Sequence, residues 1–412
     1  MSQKNEQKKS RFGPGFSMAA VWFCFFVGPG FASGASLLGF YASRGWIGVF
    51  IGPALSTLVA GTFVYLALEY SRRHQLYDFK SFYDGVFGKY SPVFSNIKDL
   101  TIIISIFVMG ALSFATGGRH LYYLIRDITG IHVNRSITGL FIMFVVGAFV
   151  LAGRKIIVSM SKMVSFALIA CIVVVIFLAF PTAWPIMTDI VANRTVFLEQ
   201  GTGLLGNLTM SGTAFMWFGT LIFVNTLTSS VDTLIPASKG VIKTQADSRN
   251  AAILGGIGVF LSMFLMNVVL ISGMPYIADQ SIAQIPTIWA IYNIVEAPAV
   301  AFIYHNVAII AIISTLASFF YGMVVRYDKI AVKVLKNAPV KVRWAAMLAL
   351  ITLVSLHFGG NGIPTIVMTG FSILGYLNLP LLEFPMLFII SYKLIKMQKN
   401  KNSEVDLGTL EA

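Results

Sequence analysis

Val27-Gly-Pro-Gly-Phe-Ala-Ser-Gly34 puts three glycines and a proline into seven residues, in the middle of an apolar run over 14–42. In lipid a backbone must satisfy itself, and an interruption is tolerated only where protein or a water-filled cavity supplies partners. Gly28, Gly30 and Gly34 admit irregular dihedrals and close approach of other groups, and Pro29 removes a donor. The stretch therefore reads as a membrane helix broken at mid-bilayer, presenting amides and carbonyls there. The plainer alternative is close helix packing through small residues.

A second interruption lies at Phe223-Val-Asn-Thr-Leu-Thr-Ser-Ser-Val-Asp-Thr-Leu-Ile-Pro236, where Asn225, Thr226, Thr228, Ser229, Ser230 and Asp232 fall close together. Hydroxyls and amides at this density can replace lost backbone partners. An acid inside a span is costly enough to be a functional candidate. The alternative for Asp232 is a place near the inner interface, a few residues before Lys239.

Outward from these two stretches, the chain of 412 residues is 57% apolar and only 11% charged, against about 25% charged in soluble domains. A spanning helix uses about 20 apolar residues, and runs suited to spanning occur at 14–42, 46–70, 99–125, 136–153, 156–181, 207–238, 251–272, 299–325, 343–371 and 374–396. The fold class is thus an all-α integral membrane protein of ten spans, and a soluble enzyme is excluded. Gly359, Gly360, Gly362 and Pro364 interrupt the ninth run and can divide it into a span and a short helix. The tail 1–13 precedes a single transmembrane domain over 14–396, and 397–412 forms a second tail. The first apolar run is read as a retained helix, not a signal peptide.

The broken runs are the first and sixth of ten, equivalent positions if 14–181 and 207–396 are two inverted repeats of five. Discontinuous helices at matching places in two halves point to a transporter site near the midplane. With both termini cytoplasmic, 25 of the 30 Lys and Arg residues fall inside, the bias expected of a multi-pass cell-membrane protein. The net charge of +13 then faces anionic lipid headgroups, and nucleic acid is not needed to explain it. Residues 71–98 read as an amphipathic helix on the inner surface. Residues 273–298, without Lys or Arg, read as an outer loop with helical pieces packed on the protein as a lid.

Gly28-Pro-Gly-Phe-Ala-Ser-Gly34, Phe40-Tyr41, the Gly45 to Gly48 opening of span two, Phe223-Val-Asn225 through Pro236, and Leu374-Gly-Tyr376 together resemble the bacterial YkvI-like membrane proteins. That family belongs to the amino acid-polyamine-organocation transporters, with the five-plus-five inverted-repeat fold of LeuT. The resemblance covers most of the chain and implies a carrier of a small organic solute, an amino acid or related zwitterion, in the cell inner membrane, coupled to Na⁺ or H⁺. The family pattern continues Gly-Phe-Ala-Ser-Gly-Gln-Glu, whereas this chain has Ala35-Ser36. No role of the missing acid carries over, unless Asp232 has taken it.

The resemblance implies a solute site from Gly28, Gly30, Phe31, Ala32, Ser33 and Gly34 of span one with Phe223, Asn225, Thr226, Thr228 and Ser229 of span six. In it the amides of Ser33 and Gly34 receive the solute carboxylate. The carbonyls of Gly28 and Phe31 would face a cation, completed by Ser314, Thr315 and Ser318 of span eight. The alternative is that these hydroxyls bond their own helix carbonyls. Proton coupling would instead draw on Asp232, Glu383, His305, Glu69 or His120. Glu383, taken as near the outer end of the last span, is a candidate outer gate with Arg44 or Arg119. His305 reads as a lone packing histidine, and Trp217, Phe218, Phe223, Phe107 and Phe114 as the apolar wall of the pocket.

Cys24 and Cys171, both in apolar runs, exclude a disulfide framework and a cysteine metal cluster. No catalytic or metal-ligand spacing occurs, so neither a metal nor a cofactor beyond the coupling ion is expected. Two rivals remain at the sequence level: a receptor or scaffold built on a transporter fold, and a membrane-embedded enzyme.

Overall fold

Two crossings of the chain are discontinuous, and they are the two whose sequence carries the interruptions. The first consists of α1 (Pro14–Phe26), α2 (Pro29–Ser33) and α3 (Ala35–Phe40). The computed structural model describes residues 13–195, 197, 200–202, 209–274, 285–336, 338–360 and 362–410. Continuous α4 (Trp46–His74) follows, then the short α5 (Phe79–Phe87), α6 (Ser91–Thr129), α7 (Arg135–Ala152) and α8 (Arg154–Ala192). The second half opens with α9 (Gly212–Thr228) and α10 (Val231–Ser238), parted at Ser229 and Ser230. After them come α11 (Gln245–Ser272), the short α12 (Pro286–Ala290), α13 (Pro298–Val334) and α14 (Val340–Gly359). The last crossing strings α15 (Ile363–Thr365), α16 (Phe371–Asn378) and α17 (Phe384–Leu410) together through two π-helical turns. Among the described residues eight segments are long and apolar enough to cross a bilayer unbroken, and the two interrupted crossings bring the total to ten.

Local chemistry accounts for the ends. Asp78 caps α5 by accepting from the Ser81 amide at 2.9 Å. Thr244 and Asp247 form a reciprocal capping box on α11. Gly130 closes α6 in the left-handed conformation, φ 72°. A short hairpin, β1 (Gln200–Thr202) with β2 (Thr209–Ser211), joins the two halves.

Several expected boundaries move. The glycine cluster ends the ninth span at Gly359, and the helix after it, from Ile363, begins the tenth span rather than closing the ninth. The tenth therefore starts eleven residues earlier than its apolar run suggested, because π turns at Ile366–Gly370 and Leu379–Glu383 absorb the irregular sequence. The fifth span runs to Ala192, past the expected end at 181. Its Pro181 and Pro185 are tolerated as prolines are in membrane helices. Within 71–98 the separate helices are Phe79–Phe87 and a single 3-10 turn at Gly88–Tyr90, since α4 and α6 take the flanks. Of the expected outer lid, 275–284 lie outside the described residues, while α12 and a π turn at Ile291–Val295 are present.

The helices sort into two groups. α1, α4, α9 and α11 pack on one another, as do α6, α7, α13 and α14. The second group has its own apolar core of Ile106, Phe114, Ile142, Val146, Leu316 and Phe320 among others. The half-helices α2 and α3 lie between the groups, touching α6 and α13 on one side and α9 and α11 on the other. A site at this seam is reached by both.

Candidate functional site between the broken helices

The first break has two corners. Val27 and Gly28 end α1 by turning their amides onto Phe23 and Phe26 carbonyls, at 3.1 and 2.7 Å. Gly34 then separates α2 from α3 with φ 77°, a conformation that costs an L side chain about 1–2 kcal/mol. Ala32 is fully buried, and its carbonyl accepts from the Tyr304 hydroxyl of α13 at 2.6 Å. Ser33 turns its hydroxyl onto Gly30 O at 3.0 Å. The Gly34 amide donates to Phe31 O at 2.9 Å. The expected free amide at Gly34 is therefore spent within the turn, and a carboxylate site at Ser33 and Gly34 is not what the backbone offers there. A side chain on Gly34 would also meet Thr287 of α12 at 2.6 Å, so that face of the break is covered by α12.

Gly30 faces inward instead. A side chain there would meet Ser36 Oγ at 2.4 Å, Leu112 of α6 at 3.6 Å and Phe371 of α16 at 3.6 Å. Around it stands an aromatic cluster: Phe31 lies 4.6 Å from Phe26, and Phe223 lies 5.9 Å from Phe40 and 5.1 Å from Tyr41, ring centre to ring centre. Phe107 and Phe114, expected to line this wall, belong to the core of the second helix group. Phe114 packs on Gly139 and Gly359, so it faces α7 and α14. The side chains of Trp217 and Phe218 lie outside the described ones.

The second break is closed by its own hydroxyls. Thr228 donates to the Val224 carbonyl at 2.9 Å, Ser229 to Thr226 O at 2.8 Å and Ser230 to Leu227 O at 2.7 Å. The Trp22 indole of α1 also reaches Leu227 O, at 3.2 Å. These bonds replace the partners a continuing helix would have supplied. Asn225, 4% exposed, accepts from Asn378 Nδ2 of α16 at 2.8 Å. The two breaks thus touch, through Trp22 with Leu227 and through Phe26 with Phe223, 6.4 Å apart.

Of the three span-eight hydroxyls, Ser314 donates to Ala311 O at 3.0 Å and Ser318 to Ser314 O at 2.8 Å, as the plain alternative holds. Ser318 is exposed, while Ser314 is buried. Thr315 makes no such bond and faces the first break: a side chain on Gly28 would meet its methyl at 3.9 Å. Span eight therefore meets the break in two places, through Tyr304 on Ala32 O and through Thr315 beside Gly28.

The titratable inventory regroups. His305 is not alone: its Nδ1 lies 3.0 Å from that of His120, and both rings are fully buried. Glu69 sits near the C-terminal end of α4, held by Arg72 and Arg73 and accepting from Ser248 of α11 at 3.1 Å. Glu383 does not reach an outer gate. Because the tenth span begins at 363, Glu383 falls in the half facing the chain termini, beside Thr228, Lys98 and Asp232. Asp232 itself pairs with Lys98 of α6 at 2.8 Å. Arg44 instead closes the turn after α3, its Nη2 donating to Gly39 O at 3.1 Å, and half-buried Arg119 remains in α6.

Sequence reading missed Ser36, Ser113, Thr116 and Asn267, buried polar side chains without a hydrogen-bond partner among the described residues. Ser36 crowds Gly30. Ser113 and Thr116 sit one turn apart on α6 next to Leu112, and Asn267 one turn from Leu270, which packs on Gly34. Unpartnered buried polar groups cost about 1–3 kcal/mol each; at this seam they mark where a solute could satisfy them. Single hydroxyls in apolar helices carry no spacing signal, which is why the sequence did not single them out.

No protein-family profile and no curated protein matches the chain. Solved structures do. A nucleobase-cation-symport-1 family transporter, Mhp1, closed with bromovinylhydantoin bound, superposes with a TM-score of 0.56 at 16% identity, over 92% of this chain and 78% of the other. Its inward-facing conformation gives 0.56 at 16%, over 91% and 76%. A Na⁺-coupled sialic acid symporter in a substrate-bound outward-open state gives 0.54 at 11%, over 92% and 78%. At these identities the likeness shows a shared fold and nothing finer.

Proposed function

We propose that the protein is a secondary active transporter that moves a small organic solute, an amino acid or related zwitterion, by alternating access coupled to Na⁺. The observation that carries the reading is the meeting of the two broken helices at the seam of two helix groups, where each group can bind one side of a solute. Nothing charged occurs in 14–43, 106–118 or 212–228, the stretches that meet there. A net-neutral zwitterion needs no buried counter-ion, whereas a net charge would leave one unpaired at high cost. Hydroxyls and an amide at Ser36, Ser113, Thr116 and Asn267 supply the polar contacts, and the rings of Phe31, Phe223 and Phe371 the apolar ones.

The cation would be held by Gly28 and Phe31 carbonyls with the Ser314 and Thr315 hydroxyls, a hard oxygen set supported by the close approach of Thr315 to Gly28. The solved symporters of this fold, one of them Na⁺-coupled, bind small organic molecules, which agrees with such a site. The YkvI-like resemblance is the narrower family reading within the same fold. The chain would sit in the cell membrane with both termini cytoplasmic, so that α10 and the start of α6 line the inner mouth.

A thermal-shift screen of purified protein against amino acids and osmolytes, with and without Na⁺, followed by counterflow in proteoliposomes, tests the function. Solute-dependent stabilisation with counterflow supports a carrier. Stabilisation without flux means a receptor on a transporter fold, and overturns the proposal.

A further inference from the structure

Three ionisable side chains from three crossings converge below the second break. Lys98 of α6, its side chain 10% exposed, pairs with Asp232 of α10 at 2.8 Å. Glu383, from the π turn ahead of α17, is 7% exposed, and its Oε2 is buried without a hydrogen-bond partner. The Thr228 hydroxyl at the end of α9 lies against this carboxyl. From α5 the buried Tyr83 faces both acids. The neighbouring charges are spoken for: Asp99 pairs with Arg326 at 2.5 Å, and Lys393, further along α17, donates to the carbonyls of Gly85 and Val86.

The cluster therefore sets two carboxyl groups against one ammonium in a place largely shut to water. With both acids ionised it would hold one uncompensated negative charge, which burial makes expensive. One proton makes it neutral. Asp232 is already in contact with Lys98 and more open to solvent, whereas Glu383 keeps a buried Oε2 without a hydrogen-bond partner, so Glu383 is the acid placed to take the proton.

We propose that Glu383 is a proton-binding site that, with Lys98 and Asp232, forms a pH-sensitive inner gate. The ion pair joins the two helix groups, since α6 belongs to one and α10 continues from α9 of the other. α10 is an eight-residue half-helix cut loose from α9 at Ser229 and Ser230, so it is the piece able to swing away. Swinging it out breaks the pair and lets water reach Glu383, which then no longer needs its proton. Protonation accordingly favours the closed inner mouth, and release of the proton to the cytoplasm accompanies opening. The sign follows from linkage: the closed state binds one more proton than the open one, so acid on the inner side holds the gate shut. The inference rests on the topology given under the proposed function, but not on the solute or on sodium.

Infrared pH titration of the substrate-free, sodium-free protein in lipid reads the proton directly through the C=O stretch of a protonated carboxyl. The wild type should show this band at neutral pH, and Glu383→Gln should lack it. Asp232→Asn should also lose it near neutrality, because Lys98 then pairs with an ionised Glu383. Lys98→Gln should move its midpoint upward by about one to three pH units, the effect of removing a nearby opposite charge. Labelling of Ile235→Cys in α10 from the cytoplasmic side reads the gate. It should slow about tenfold per pH unit below the midpoint for one linked proton, and should be slow and flat with pH in Glu383→Gln. A band indifferent to Glu383→Gln, or a midpoint that does not rise in Lys98→Gln, overturns the proposal, and the lysine variant decides should the glutamine variant fail to fold. Both measurements stand even if no solute is ever transported, so the two readings fail separately.

Discussion

Asn378 donates from Nδ2 to the Oδ1 of Asn225 at 2.8 Å, with both side chains buried. This bond ties α16 of the last crossing to α9 one turn above the second break, where the backbone of α9 is about to lose its helical partners. Asn378→Leu leaves the Asn225 oxygen buried and unpaired and should cost about 1–3 kcal/mol of stability, read as a lowered thermal midpoint in detergent. Replacing both residues with Leu should cost less than the single change, since no polar atom is then stranded. A double variant weaker than the single one would show that the bond is not what Asn225 provides.

Orientation can be tested with two engineered cysteines in a background lacking Cys24 and Cys171. Gly85 in α5 is a poor place for one, because a side chain there would meet Leu76 at 2.4 Å, whereas Lys80 is exposed. Lys80→Cys should resist a membrane-impermeant reagent in intact cells. Asn293→Cys, exposed in the π turn after α12, should react. Labelling of position 80 from outside would invert the topology and with it the assignment of the inner mouth.

For sodium, the three span-eight hydroxyls should separate. Thr315→Ala removes the hydroxyl of the span-eight side chain that lies beside Gly28 and, if that hydroxyl is a cation ligand as proposed, should raise the sodium concentration for half-maximal transport about tenfold or more, the loss of one oxygen ligand being worth at least about 1.4 kcal/mol. Ser318→Ala should be mild, because Ser318 is exposed and bonded to its own helix. Equal effects of the two, or transport indifferent to sodium, would remove the cation site from this turn.

The broken helices were legible in the sequence because their cause is local. Gly28, Pro29 and Gly34 cannot continue an ordinary helix, and Thr228, Ser229 and Ser230 carry hydroxyls at the spacing that caps one. The apolar runs were local in the same way and gave the ten crossings. What could not be read was which distant residues share a depth. His120 with His305, and Lys98 with Asp232 and Glu383, are joined only by the packing of separate crossings. Glu383 was misplaced for a specific reason: the π turns at Ile366–Gly370 and Leu379–Glu383 hide the true start of the last span, so an acid near its middle looked like one near its outer end. Phe114 failed similarly, since an aromatic residue on the right helix does not say which face it occupies.

Gly34 offers the last test, and its expected outcome follows from two constraints acting together. Its φ of 77° costs a β-carbon about 1–2 kcal/mol, and a β-carbon would stand 2.6 Å from Thr287 Oγ1 and 3.2 Å from the Thr287 amide. The backbone contact cannot yield by a rotamer change, so Gly34→Ala must shift α12 outward or rearrange the corner between α2 and α3. Because the Gly34 amide is already bonded to Phe31 O, the substitution removes no ligand donor. Gly34→Ala should therefore lower stability by about 1–3 kcal/mol, the αL strain plus part of the clash, and Gly34→Val by more. The outer side of the first break should become more reactive to labelling as the lid lifts. Solute affinity should fall only through that opening, and a second change, Thr287→Ala, which removes the 2.6 Å contact, should recover part of it, while the αL strain and the 3.2 Å approach to the Thr287 amide keep the rest. A Gly34→Ala protein of normal stability that has lost solute binding would instead restore the carboxylate site at this corner.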